Sequence, residues 1–368
     1  MRFKKLFLKL EKPFFFVNIF FAALLLCSYL SALINPQKFW PLAFLGLVYL
    51  HLLIINLIFC VYWICCLKRF FFISFASILI GFNVLLNTIE FNAHPKILPS
   101  APDAPLKLMT YNVHAFMNLD LPANLPAFQP ILKLINLNQP DVIGFEEFYS
   151  NCSRFRICDS LKAVLHTSQF YFEPFLKTKY DSTGLALFSK YPIVHRGIIR
   201  LSNEQNDNQG IYIDIKYKSQ ILRIYSFHLK SLELAPQDYY YLENFTHKGV
   251  FSYYGLKRIL YKLKEGFIIR AQQVKLIRQH ASKCTYPYIF MGDFNDTPSS
   301  YAFNQMATGM KNAFREKGNG IAKTFNGGFA SFQIDFILLS RQFNVLNYKI
   351  IRKTISDHYP VSADVALN

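Results

Sequence analysis

The chain of 368 residues is 52% hydrophobic and 17% aromatic, with a mean hydropathy of +0.18, which excludes an ordinary soluble protein. The apolar excess sits in the first ninety residues, so the length divides into a membrane segment and a globular part. Of the 40 bases and 23 acids, eight and two fall in those ninety residues; the 32 bases and 21 acids beyond leave about +11, which suits anionic partners. Charge alone does not separate that from a generally basic proteome.

Arg2, Lys4, Lys5, Lys9 and Lys12 form a basic leader. Residues 14–34 are interrupted only by Asn18, Ser28 and Ser31; as a helix they would extend about 30 Å, enough to cross a hydrocarbon core. A cleaved signal peptide has a shorter apolar region, and more apolar helix follows here, so the span is expected to stay. Residues 35–41 form a connecting turn with Trp40 suited to the interface, and further spans are expected over 42–67 and 70–89, separated by Lys68-Arg69. His51, Asn56 and Asn83 lie inside these spans, where single amides are expected to bond between helices. The basic leader and Lys68-Arg69 both pull toward the cytoplasm, so three spans place everything after residue 89 on the far side of a cytoplasmic membrane. Residues 93–105, with four prolines, read as a stiff linker leading away from the membrane.

Strands are expected at 106–113, 141–145, 185–189, 211–217, 221–227, 288–291, 334–339 and 360–366, and helices at 125–137 and 270–281. Most strands follow one another without an intervening helix, which favours an antiparallel-rich α+β domain over 106–368. Between 231 and 267 aromatics alternate with bases: Tyr239, Tyr240, Tyr241, Phe245, Phe251, Tyr253, Tyr254, Lys257, Arg258, Tyr261, Lys262 and Lys264. That suits stacking on bases or docking at a lipid interface. The plainer expectation, preferred here, is a helical insertion that buries its rings on its own domain. Cys27, Cys60, Cys65 and Cys66 lie in apolar segments, and no C-x-x-C pair occurs, so neither a zinc site nor a redox motif is indicated. Cys152 and Cys158 either bridge or remain two thiols.

Five short stretches place an acid, amide or imidazole at the edge of an apolar run. They are Thr110-Tyr111-Asn112-Val113, residues 141–147 ending in Glu146-Glu147, Met291-Gly292-Asp293-Phe294-Asn295, Ile334-Asp335-Phe336-Ile337 and Ser356-Asp357-His358. Asp293 and Asn295, two apart on extended chain, would face one side and could polarise a water; alternatively both only cap a turn. In this order the stretches resemble the endonuclease/exonuclease/phosphatase superfamily, over about residues 104–366. The resemblance implies a four-layer α/β/β/α sandwich of two antiparallel-rich sheets, and hydrolysis of a phosphoester with Mg²⁺, or Mn²⁺, as cofactor. It further implies that Glu147 and Asn112 hold the metal, with Asp357 as a further ligand. Asp293 would orient or deprotonate the attacking water, assisted by Asn295. His358 would donate to the phosphate, with Asp335 fixing its tautomer. His228, by itself most simply a structural strand-end histidine, would be aimed at the phosphate or leaving group. Two departures stand out: Glu146 occupies a place where many relatives have Gln, and Gln333 one where Arg is frequent.

The expected function is thus a membrane-anchored phosphodiesterase of nuclease-like type with an extracytoplasmic catalytic domain. The alternatives are a lipid-directed hydrolase or a catalytically silent tethered binding domain. The substrate is expected to be nucleic acid or a phospholipid head group, and no obligate protein partner is evident.

Overall fold

The computed structural model describes residues 2–91, 105–117, 127–151, 157–202, 209–327 and 332–368. The first ninety residues are helical: α1 (Arg2–Leu30), α2 (Pro36–Phe39), α3 (Pro41–Leu47), α4 (Tyr49–Cys65), α5 (Phe71–Ile80) and α6 (Phe82–Thr88). Over Glu11–Leu30, α1 is long and apolar enough to cross a membrane. The other two expected spans are not straight. Breaks at Val48 and Gly81 bend the α3–α4 and α5–α6 pairs by 64° and 68°, so each reaches spanning length only as a bent unit. The helices form an inside-out bundle. Asn18, Asn56 and Ser74 are buried at its centre, while Phe16, Phe20, Ile58, Val61 and Phe72 face outward. The Ser74 hydroxyl bonds to the amide oxygens of Asn18 (2.5 Å) and Asn56 (2.8 Å), and Asn56 donates to the Phe21 carbonyl at 3.1 Å, which bears out interhelical bonding for Asn56. Lys68 pairs with Glu11 at 2.8 Å, so the α4–α5 turn sits beside the basic leader.

After β1 (Ile89–Glu90) the chain builds two six-stranded sheets. Its elements in order are β2 (Leu106–Asn112), α7 (Phe128–Asn138), β3 (Val142–Asn151), α8 (Ile157–Leu165), β4 (Gln169–Lys177), β5 (Asp181–Ser189), β6 (Ile193–Arg200), β7 (Gln209–Tyr217) and β8 (Gln220–His228). They continue with α9 (Pro236–Lys248), α10 (Tyr253–Ala281), β9 (Tyr288–Asp293), α11 (Tyr301–Ala307), β10 (Lys311–Asn312), α12 (Ala313–Lys317), β11 (Gly320–Ile321), β12 (Asp335–Leu339), β13 (Phe343–Ile350) and β14 (Val361–Leu367). One sheet runs β10-β12-β9-β8-β7-β6 and the other β13-β14-β2-β3-β5-β4. Among the described residues only β2–β3 and β8–β9 pair in parallel, and a helical crossover joins each of those pairs, as parallel strands require.

The strand stripes decide the layers. Along β7, Ile211, Ile213, Ile215 and Tyr217 pack between the sheets, and Tyr212 packs outside with α10. A second outer core under α7 and α8, around Ile131, Ile135 and Leu161, covers the opposite face. The result is the four-layer α/β/β/α sandwich.

Two expectations about the domain's surroundings are corrected. Residues 92–104, most of the expected linker, lie outside the described residues, but the domain does not stand away from the helices. β1 pairs with β11, the Ser299 hydroxyl donates to the Gly46 carbonyl at 2.7 Å, and Ser31 donates to the Ser299 carbonyl at 2.7 Å. Gly46 is needed there, because a Cβ would lie 2.2 Å from the Ser31 hydroxyl and 3.3 Å from the Ser299 carbonyl. Arg315 reaches Asn83 at 3.1 Å, so that amide bonds to the sandwich and not between helices. The second correction concerns residues 231–267. They are helical as expected, but Tyr240, Phe251, Tyr253, Tyr254 and Tyr261 remain exposed, and only Tyr241 of the tyrosines named there is buried. Cys152 also lies outside the described residues.

Candidate active site

The stripes that form the inter-sheet core turn polar at one end. On β2 the inward series Leu106 and Leu108 continues to Thr110 and Asn112; on β8, Leu222 and Ile224 continue to Ser226 and His228; on β9, Ile289 and Met291 end at Asp293. On β12, Leu339 and Ile337 lead back to Asp335. Register then sets His228, Asp293 and Asp335 side by side across three strands. The same period-2 rule that buries the core therefore collects the functional groups at its rim.

Asp293 is the centre. Its Oδ2 accepts from Asn112 Nδ2 at 3.1 Å and Asn295 Nδ2 at 3.2 Å, and lies 3.8 Å from both His228 Nε2 and His358 Nε2. Its Oδ1 accepts the Asn295 backbone amide at 2.8 Å, so one oxygen closes an Asx turn while the other faces the surrounding polar groups. Asn295 reaches the same side through a left-handed conformation (φ 51°), not along extended chain as expected. Gly292 has φ 136°, and a Cβ there would meet the Phe227 carbonyl oxygen at 2.2 Å, so this turn requires glycine.

The paired glutamates separate. Glu146 stays in the sheet opposite Asn112, fully buried, and accepts from Thr110 (2.9 Å) and Ser226 (3.0 Å). A bulge between Phe145 and Phe148 swings Glu147 (φ 50°) into the site, where Asn112 Nδ2 donates to it at 3.1 Å and His228 Nε2 lies at 3.7 Å. The Asn112 side-chain oxygen Oδ1 accepts from the His114 backbone amide at 3.0 Å, so this side chain bridges Glu147 and Asp293 through its nitrogen. On the last loop, Ser356 donates to the Asn112 carbonyl at 3.0 Å and to Asp357, which anchors the loop on β2. His358 then meets Asp335 through Nδ1 at 3.0 Å, buried against the Phe325 ring.

Electrostatics divides these groups. Burial favours the neutral form of Glu147, but the His114 hydrogen bond, the charges of His228 and His114 and the Asn112 donor outweigh it and hold the carboxyl at about 2. Burial raises Asp293 to about 6 against the pull of His358. Burial, with Asp335 and Asp293 nearby, keeps Glu146 well above the ordinary carboxyl range. At His358 burial works against a charged ring, yet Asp335 and Asp293 prevail and keep it protonated well above the usual imidazole value. Donor atoms of Asp293, Asp335 and His358 lie within 4.8 Å of one another and could hold a metal ion. The hard oxygens of Glu147 and Asp357, partly open to solvent, are the donor type Mg²⁺ prefers, and the carboxyl groups of Glu147, Asp293, Asp335 and Asp357 gathered in one pocket favour a cation there.

The family model for the endonuclease/exonuclease/phosphatase family matches residues 109–358. The chain belongs to that family. A second family model, described only as a domain of unknown function, matches residues 11–88. Among solved structures, an endonuclease/exonuclease/phosphatase from Beutenbergia cavernae is similar at TM-score 0.53 and 16% identity, covering 72% of each chain. A family protein from Leptotrichia buccalis gives 0.51 and 15%, covering 71% of this chain and all of its own. The human Nocturnin catalytic domain, solved with a bound sulfate anion, gives 0.50 and 16%, covering 72% and 95%. No curated protein sequence matches the chain. Members of the endonuclease/exonuclease/phosphatase family hydrolyse phosphoesters and are generally divalent-metal dependent, and this chain is a phosphoester hydrolase of that family.

Every site residue expected of the family falls in this one pocket, and His114 joins them. His114 lies 3.4 Å from Glu147 and 3.7 Å from Asp357, held there by consecutive left-handed residues, His114, Ala115 and Phe116. Its only signal in the sequence was its position two residues after Asn112. On α9 the Tyr239 hydroxyl is raised, first by burial and then by the Asp357 and Glu147 carboxylates. Behind the pocket, Arg270 reaches the loop after Asp293 through Asp296 at 2.9 Å. Gln333, where relatives often have Arg, is buried and lines a separate cavity of about 320 Å³ between the sandwich and α3–α4.

Proposed function

We propose that the chain is a membrane-anchored, Mg²⁺-dependent phosphoester hydrolase of nuclease-like chemistry, with its catalytic domain outside the cytoplasmic membrane. The observation that carries this reading is the convergence of Asn112, Asn295, His228 and His358 on one buried oxygen of Asp293. Glu147 and Asp357 would hold the ion, with the Asn112 side chain beside them on Glu147. When bound, the ion supplies a sink for charge growing on the phosphate oxygens. Asp293, raised toward neutrality, orients the attacking water and takes its proton, and Asn295 keeps its carboxylate fixed. Protonated His358 donates to the phosphate, with Asp335 holding Nδ1 so that Nε2 faces the reaction. His228, on the strand beside Asp293, faces the phosphate or the leaving oxygen.

Metal removal tests the core of this reading. Activity of the full chain on a chromogenic phosphodiester is expected to vanish in EDTA and to return with Mg²⁺ or Mn²⁺ but not zinc; full turnover in EDTA would sink it. Glu147→Gln should weaken the apparent Mg²⁺ affinity and be partly rescued at higher metal, whereas Glu146→Gln should change little. The reverse pattern would place the wrong glutamate in the site.

The three apolar units, with a polar interior and an apolar exterior, support a multi-pass segment. A reporter fused after Asn92 is expected to behave as extracytoplasmic, and a cytoplasmic signal would show that one unit does not cross. A lipid-directed reaction is the second reading. It is favoured by the direct seating of the sandwich on the helices, through β1–β11 and the Ser31–Ser299–Gly46 contacts.

A further inference from the structure

The crossover between β8 and β9 is a helical hairpin, α9 and α10, many of whose rings are exposed. Tyr240, Phe251, Tyr253, Tyr254 and Tyr261 are between 62% and 82% exposed. On α10, Tyr253, Lys257, Leu260, Tyr261 and Lys264 recur at three- and four-residue spacings and so share one side of the helix. Over residues 236–264 there are five bases, Lys248, Lys257, Arg258, Lys262 and Lys264, against two acids, Asp238 and Glu243. Asp238 is buried and already takes Arg258 and Lys262, so the outward charge of the described side chains is basic.

This face does not end in solvent. Lys264 Nζ stands 5.0 Å from the centroid of the Trp40 ring, and Phe267 packs edge-on against Phe44 at 5.4 Å. Both partners belong to the helical segment, at the end that meets the sandwich, where Phe39 and Trp40 are themselves exposed. Aromatic rings and lysines thus continue the apolar exterior of the bundle at the level where an interfacial tryptophan belongs.

We propose that this side of α10 lies on the bilayer, its rings among the head groups and its lysines on anionic lipid. The proposal rests on the reading that the helical segment is embedded. Continuity with the bundle favours a membrane over single-stranded nucleic acid, which stacks along a basic groove rather than on the outer side of a helix.

The test uses the full chain with p-benzoylphenylalanine at position 254, 261 or, as a control, 180, an exposed tyrosine in the β4–β5 turn. The protein is reconstituted in phosphatidylcholine vesicles with or without phosphatidylglycerol, and an oligonucleotide is present in parallel samples. Irradiation is expected to give lipid adducts at 254 and 261 several-fold above 180. Lys257→Gln should lower the yield at 254 roughly five-fold with phosphatidylglycerol and leave it unchanged without. Yields no higher than at 180, in vesicles whose protein resists alkaline carbonate, would overturn the docking face and leave the anchoring intact. Protein released by carbonate would overturn both. Adducts only to the oligonucleotide or to a second copy of the chain would assign the face to that partner and overturn the lipid contact.

Discussion

Asp293→Asn is expected to lower kcat on a phosphodiester by about 10²–10⁴, the usual scale for losing a general base, with KM nearly unchanged. The substitution is close to isosteric, and an amide oxygen can still accept the Asn295 N–H that closes the turn, so the fold should survive. What is lost is the proton-accepting oxygen that four polar groups surround, on a carboxyl that burial has already raised to about 6. His358→Ala should also fall in kcat, because it removes the protonated ring beside that oxygen. Asp335→Asn should give a weaker loss, since the ring remains but its Nδ1 is no longer held by a carboxylate. Steady-state kinetics at saturating Mg²⁺ measure all three. Wild-type turnover by both Asp293→Asn and His358→Ala would remove this pocket as the active site.

The rim of the pocket was legible because the rule that builds it is local. An apolar run of period two that ends in Asp293, Asn112 or Asp335 announces both the strand and the polar end of its inward stripe. Glu147 was reached through the family resemblance alone; what parts it from Glu146 is a bulge and a left-handed backbone at Glu147, which no periodicity along the chain marks. His114 depends on three consecutive left-handed residues, which nothing in Val113-His114-Ala115-Phe116 signals. The strands β4, β6 and β13 were missed for a related reason. All three are sheet edges, half exposed and interrupted by Pro174, by His195-Arg196 and by Asn347, so no sustained apolar run marks them. Hydropathy gave the helices of the first ninety residues but not their bends. The break beside Gly46 lies where the helices meet Ser299, some 250 residues later in the chain, and a window along the sequence contains no trace of that partner. Composition likewise marked the aromatic hairpin without telling which side of it the sandwich would cover.

Arg270→Ala is expected to cost about 3–5 kcal/mol of stability, the range for leaving one member of a buried ion pair without its partner. Arg270 and Asp296 are 1% and 5% exposed; Nε donates to Asp296 at 2.9 Å and Nη1 to the Lys230 carbonyl at 2.8 Å. The other Asp296 oxygen accepts the Thr297 amide at 3.0 Å, so the guanidinium holds the loop that starts at Asp293 while Ser299 fastens its far end to Gly46. Removing the arginine should therefore lower kcat as well, by releasing Asp293 and Asn295 from one of their two supports. Arg270→Lys should rescue only part of the loss, because a single ammonium cannot serve Asp296 and the Lys230 carbonyl in the fork geometry. Arg270→Met with Asp296→Leu separates the two effects. An apolar pair should recover much of the stability, since no uncompensated charge stays buried, while turnover stays low because the loop has lost its polar tether. Denaturant unfolding of the detergent-solubilised chain, read beside kcat for each variant, checks the pattern. A loss below about 1 kcal/mol for Arg270→Ala would mean that water reaches Asp296 and that the clamp on the catalytic loop does not exist.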